Sequence, residues 1–404
     1  MEVVNLAMPP LLYLGPEDVE QLLPMAECIG VMERALRDLA LGAAVLPLRT
    51  VVRLEGCNGL LGVMPGQVQV PAGAGSAGAA GAAGAVGAAM AAGAEGHGAP
   101  ASPPGMRGST ADPVTAATVA SAPGAPGAPS VAGVKVVSIF PENRLRGDES
   151  HFGVVLLFET ETGRPIAHLD AASITAIRTA AVSAVATRLL ARDDAGDLAL
   201  LGAGVQARTH LAALREVRPL RRVRVWSRRP QSAARFAAEE GARHGLAVEA
   251  VPSAAAAVAG ADLVCTVTSS HQPVLNGEWL QPGAHVNAVG ASLASARELD
   301  SAAVARARLF VDRRESAVNE SGDYLVPLRE GLIAEDHIRG ELGDLLLGRL
   351  AGRRSPAEIT LFKSLGLAVE DLAAGYHVYR QALARGRGIR LDAGDAGEPA
   401  DRGR

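Results

Sequence analysis

Among the 39 basic residues of this 404-residue chain, only Lys135 and Lys363 are lysine; the others are arginine. A GC-rich codon bias explains the arginine excess, and against it each lysine is a rare choice. Lysine, unlike arginine, can give up its proton when buried beside other cations. Lys135 lies in the apolar stretch GVKVVSIF (133–140), where a charge is expensive to bury without a purpose. The bland alternative is an edge-strand lysine that blocks aggregation. Arg49 in LPLRTVVRL and Arg178 in ITAIRTAAVSA have similarly apolar neighbours. Together the three could clamp a carboxylate and polarise a C=N or C=O bond.

A second constellation points to a nucleotide. Gly202-x-Gly204-x-x-Ala207 follows the strand-like run DLALLG and opens a helical pattern. In that setting Gly202 permits the tight turn, Gly204 lets a pyrophosphate approach the backbone, and Ala207 keeps helix and strand close. The helix N-terminus then offers free amides and a positive dipole to the phosphates. The next strand, VRVWSRR, ends in Ser227-Arg228-Arg229. An acidic residue there would bind a ribose 2′-hydroxyl, whereas arginines pair with a 2′-phosphate. NADP(H) is therefore expected over NAD(H), with solvated arginines as the alternative.

The elements that must position these groups belong to a globular chain. Hydrophobic residues make up 48% and charged ones 20%, with a net charge of −4. That balance excludes a disordered chain and disfavours nucleic acid as a partner. Cys28, Cys57 and Cys265 are far apart and match no metal-ligand spacing, so neither a disulfide scaffold nor a metal site is expected. The beginning MEVVNLAMPPLLYLG has no basic leader, and the apolar run 171–190 is broken by Arg178 and Arg188. No secretory signal and no membrane span are expected, and the cytosol is the expected location.

Residues 71–133 are almost all Ala, Gly, Pro and Ser. They read as a disordered insertion that buries too little to offset its ordering entropy. Before it come a helical stretch from Pro16 and β-rich pieces at 48–54 and 59–64; after it, strands at 133–140 and 152–159, a turn at 161–164 and a helix over 173–191. From 197 strands and helices alternate, which implies a parallel sheet with right-handed crossovers. The part beyond about 316 reads as mostly helical, and 386–404 as a frayed polar tail.

The segments LRTVV (48–52), LGVMP (61–65), ITAIRTAAVSAVAT (174–187), LGAGVQA (201–207), VRVWSR (223–228), AVAGADLVCTVT (257–268), GEWLQPGAHVNAVGAS (277–292), ESGD (320–323) and FKSLGLAVED (362–371) carry a resemblance across almost the whole chain outside the insertion. The chain resembles the ornithine cyclodeaminase/mu-crystallin family, and within it the ketimine reductases. The resemblance implies an α/β fold with a Rossmann NADP-binding domain over 192–314. Residues 1–191, joined by returning helices of 315–385, would form an α+β substrate and dimerisation domain.

The resemblance also implies roles. Arg49 and Lys135 fall on substrate-binding positions, and Arg178 on an arginine that approaches both substrate carboxylate and cofactor. Ser150 and His151 match a loop near the nicotinamide, and Lys363 and Ser364 a segment that closes on it. Thr179, Gly202, Gly204, Val205, Gln206, Ser227, Arg228, Arg229, Val267, Thr268 and Ser269 complete the implied NADPH site. A homodimer is implied as well. The cyclodeaminases carry an aspartate general base where this chain reads Gly290-Ala291-Ser292-Leu293. The expected activity is therefore NADPH-dependent reduction of cyclic ketimine carboxylates. An amino-acid dehydrogenase or cyclodeaminase of the family, and a non-catalytic NADPH-dependent binder of a small carboxylate, are the alternatives.

Overall fold

Strands of the first sheet take one side chain in two to the core, and that period decides which polar groups are buried. The computed structural model describes residues 11–70, 130–140, 142–143 and 151–391. The first sheet contains β1 (Leu11–Leu14), β2 (Thr50–Arg53), β3 (Leu60–Gln69), β4 (Ser130–Ile139), β5 (His151–Glu159) and β6 (Pro165–Asp170). From β2 to β6 the strands form an antiparallel meander, and β1 adds in parallel beside β6. In β4 the inward row reads Val131, Gly133, Lys135. Met64 of β3 and Val155 of β5 lie opposite Lys135.

The second sheet is wholly parallel. It contains β7 (Asp197–Leu201), β8 (Arg222–Trp226), β9 (Val248–Ala250), β10 (Leu263–Thr266), β11 (His285–Ala288), β12 (Arg308–Val311), β13 (Ile338–Glu341) and β14 (Thr360–Lys363). Their order is β13-β12-β14-β11-β10-β7-β8-β9. Helices cover both faces, and β10, β11 and β14 are buried throughout. The chain runs outward from β7 to β9, then returns to place β10 on the other side of β7. That reversal opens a crevice at the carboxyl ends of β7 and β10, the usual ligand position in such sheets.

The Ala171–Leu190 helix joins the two sheets. Asp170 caps it by accepting the Ser173 N–H at 2.7 Å, and most of its residues are buried on every side, as expected of a helix that is apolar all round. It therefore carries Arg178 into the interior.

Three expectations need correction. Ser130 to Gly133 belong to β4, so the insertion does not extend to 133; its residues 71–129 lie outside the described residues. The stretch beyond 316 is not only helical: it supplies β13 and β14, and β14 sits in mid-sheet between β11 and β12. TLFK and IRGE have four residues each, too short for periodicity to separate strand from helix. Finally, the tail is not all frayed, because β15 (Ile389–Leu391) pairs with β1. Residues 392–404 lie outside the described residues.

Candidate active site

The inward side of β4 brings Lys135 against the start of the Ala368–Arg385 helix. Lys135 is 3% exposed. Its Nζ donates to Thr175 Oγ1 at 2.5 Å and to Asp371 Oδ1 at 3.0 Å. The same Asp371 oxygen accepts Arg178 Nε at 2.9 Å, and Arg178 Nη1 donates to Glu370 Oε2 at 2.8 Å. Glu370 and Asp371 are fully buried. Their place in the first turn of a helix gives them the favourable end of its dipole, and Glu370 also accepts the Leu367 N–H at 3.2 Å in a capping arrangement.

A loop made by residues 364–367 ties the arginines together. Asp312 Oδ2 accepts the Leu365 and Gly366 N–H groups at 2.6 and 2.8 Å. Gly366, at φ +77°, presses against the Arg178 guanidinium. Arg49, which immediately precedes β2, donates from Nη1 to the Leu365 carbonyl at 3.5 Å, and its Nε meets Glu320 Oε2 at 2.8 Å. Arg49, Met64, Arg313, Glu320, Gly366 and Leu367 line a cleft. Arg49 thus stands on the rim, while Arg178 and Lys135 lie behind its wall.

Burial shifts these groups. It pulls the Lys135 ammonium down to about 8, against the raising effect of Asp371, with Arg178 adding to the fall. Burial likewise works against the Arg178 cation, but Asp371 and Glu370 outweigh it and hold the guanidinium above its ordinary value. Glu370 is pushed up by burial against the pull of Arg178, with Asp312 and Asp371 contributing. Asp312 is raised by burial too, despite its backbone hydrogen bonds. A buried cluster with shifted groups beside a cleft is a candidate functional site.

The glycine loop lies at the crevice of the second sheet. Gly202 adopts φ +125°, and a Cβ there would fall 2.6 Å from the Val267 carbonyl oxygen. Its N–H donates to the Trp226 carbonyl at 2.8 Å, which brings the end of β8 beside the loop. Gly204 faces open space and caps the Val205–Arg215 helix. Val205 is exposed, and Gln206 Oε1 is buried with no hydrogen-bond partner. A bare helix N-terminus and an open Gly204 fit a dinucleotide pyrophosphate. Beyond β8, Arg228 and Arg229 are exposed, and neither has an ion-pair partner among the described residues.

The other expected residues differ in how open they are. Thr179 follows Arg178 and is buried. Val267 is buried at the end of β10, Thr268 donates from N and Oγ1 to Glu298 Oε1 at 2.7 and 2.6 Å, and Ser269 is exposed. Ser364 is buried, with its N–H on the Ala288 carbonyl at 3.0 Å. Lys363 is not an open ligand: its ammonium pairs with Asp323 Oδ2 at 3.0 Å and donates to the Ala291 carbonyl. His151 opens β5 on an exposed position, and Ser150 lies outside the described residues.

The model of the ornithine cyclodeaminase/mu-crystallin family matches residues 79–386. The chain belongs to that family. Among its relatives, the Delta(1)-pyrroline-2-carboxylate reductase of Bacillus cereus is 40% identical over 261 residues, 64% of this chain and 80% of the relative. Mouse ketimine reductase mu-crystallin is 42% identical over 245 residues, 61% of this chain and 74% of the relative. The structure of Thermococcus litoralis Delta(1)-pyrroline-2-carboxylate reductase with NADH and L-proline is 35% identical, with a TM-score of 0.78, covering 94% of this chain and all of that one. An archaeal alanine dehydrogenase dimer with bound NAD is 28% identical, with a TM-score of 0.76, covering 95% and 99%.

Family membership does not by itself single out the acids of the cluster. Glu370, Asp371, Asp312 and Glu320 have no role in the sequence reading above. The adjacent Glu370-Asp371 pair in LGLAVEDLAAG was the available signal, since two acids inside an apolar helix start need a partner.

Proposed function

We propose that this protein is an NADPH-dependent imine reductase acting on cyclic imino acids such as a pyrroline- or piperideine-2-carboxylate. The observation that carries the reading is Lys135: a lysine 3% exposed, pulled down to about 8, beside Arg178 behind the wall of a cleft whose rim bears Arg49. Reduction adds a hydride to the imine carbon and a proton to the nitrogen. A bound nicotinamide supplies the hydride.

The remaining work belongs to the chain. Arg49 receives the substrate carboxylate, which must replace or join Glu320 on its guanidinium. Arg178, held by Glu370 and Asp371, reinforces that anchor and fixes the orientation of the ring. Lys135 Nζ holds a proton for the imine nitrogen, and a value near neutrality suits a general acid. Met64 and Leu367 give the cleft apolar walls that keep water from competing for the C=N bond.

NADPH is favoured over NADH by Arg228 and Arg229, exposed where an NAD enzyme would carry an acid. A homodimer is favoured by the archaeal dehydrogenase dimer of the same fold and by Val51, Val52 and Phe152, exposed on strands of the first sheet. The test is NADPH oxidation against a panel of cyclic and acyclic imino acids. Turnover of cyclic 2-imino acids is the expected result. Ammonia release from an L-amino acid with oxidised cofactor would point instead to a deaminase, and tight NADPH binding without turnover to a ligand-binding protein.

A further inference from the structure

One oxygen serves two cations in the buried cluster. Asp371 Oδ1 lies 3.0 Å from Lys135 Nζ and 2.9 Å from Arg178 Nε, while Oδ2 has no hydrogen-bond partner. Thr175 Oγ1 donates to the Ala171 carbonyl at 2.6 Å, so its lone pairs face the lysine. An ammonium has three donors; Thr175 and Asp371 take two, and one is left for a ligand. Arg178 is fixed in the same way, with Nε on Asp371, Nη1 on Glu370 and Gly366 beside the guanidinium.

We propose that Asp371 is the positioning residue of this site: it fixes Lys135 and Arg178 as one unit and acts on the substrate only through them. The proposal rests on the reading of the site as an imine reductase. Here the sharing sets the separation between a proton donor and a carboxylate anchor, which are the two groups that must meet opposite sides of one small ring.

The charges around Lys135 are few. Asp371 and Glu370 face it from the Ala368–Arg385 helix, and Arg178 from the Ala171–Leu190 helix. Asp312 acts on the cluster through Arg178. Cys28, close to Arg178 and Glu370, is a buried thiol pushed up by that burial and stays neutral. The strand neighbours Met64 and Val155 are apolar. Removing the Asp371 charge therefore leaves Lys135 beside Arg178 with its nearest anion gone, and its ammonium becomes harder to keep.

The experiment uses the full-length protein labelled with carbon-13 at lysine Cε. With two lysines in the chain the spectrum has two such signals, and loss of one in Lys135→Met assigns it. In Asp371→Asn the Lys135 titration is expected to fall by about 1–3 pH units. The alkaline limb of kcat should move down with it, while the Kd for NADPH holds. An unmoved titration in the folded variant would overturn the proposal. If Asp371→Asn does not fold, Asp371→Glu takes its place: the Lys135 titration and the alkaline limb of kcat should both move from their wild-type positions, and neither moving would overturn the proposal. The titration needs no substrate. Failure to reduce any imino acid would therefore refute the function while leaving the lysine signal readable. Active reduction with an unmoved signal would refute the positioning role alone.

Discussion

Gly366 leaves the room that Arg178 occupies: a Cβ on Gly366 would lie 2.7 Å from both terminal nitrogens of the guanidinium. The position also needs φ +77°, which costs an L-residue about 1–2 kcal/mol. Gly366→Ala should lower the Tm and displace Arg178, with a fall in kcat/KM of about tenfold or more, as expected when a positioning contact is lost. Gly331 is the matched control, with φ +72° and open space around it. Gly331→Ala should show the backbone cost in Tm and wild-type kinetics. Equal kinetic losses in the two variants would mean that the contact with Arg178 does not matter.

Arg228→Ala should weaken NADPH by about ten- to a hundredfold and leave NADH nearly unchanged, because a charge-assisted bond to phosphate is worth roughly 1.5–3 kcal/mol. Arg228 is exposed just beyond β8, whose end lies at the Gly202 turn. Titration of cofactor fluorescence gives both constants. Parallel losses for the two cofactors would remove the 2′-phosphate from the argument.

Lys135→Met should abolish most turnover, since general acid help is typically worth about 10²–10⁴-fold. Lys135→Arg separates two roles: arginine keeps the charge but holds its proton at neutral pH. Activity retained by Arg would make Lys135 an anchor; activity lost as in Met would make it a proton donor. Stability carries a matching signature. The folded value near 8 lies below the ordinary 10.5, so between these values the unfolded chain binds more protons. The wild type should therefore gain stability relative to Lys135→Met as pH rises from about 8 to 10.5. Denaturant melts across that range would show it, and a flat difference would contradict the burial of the ammonium.

The β3–β4 hairpin is complete without residues 71–129. Gln69 pairs with Ser130 across it, and Gln67 Nε2 donates to Ser130 Oγ at 3.1 Å. A two-residue Asn-Gly turn in place of 70–129 matches the twist of such a pair. The shortened protein should keep its Tm within a few degrees and retain imine reduction. Loss of either would assign the replaced segment a part in folding or in the site.

The glycine turn, the arginines after β8 and the alternation that turns Lys135 inward are local facts, readable from residues next to one another. A period of two needs no tertiary knowledge to place Lys135 on the same face as Val131, and a strand–glycine–helix run declares its own crevice. The partners of Lys135 are another matter. Asp371 lies 236 residues away in sequence, and nothing local to either residue encodes that separation. It arises only when the Ala368–Arg385 helix packs across β4 and the Ala171–Leu190 helix brings in Arg178. The same holds for Lys363, which shares Lys135's rarity and apolar surroundings yet is paired with Asp323. Both lysines are buried in strands, and it is the long-range packing that puts one on Asp371 behind a cleft and the other in a closed ion pair. Burial energy depends on which groups meet, and the chain settles that only by folding.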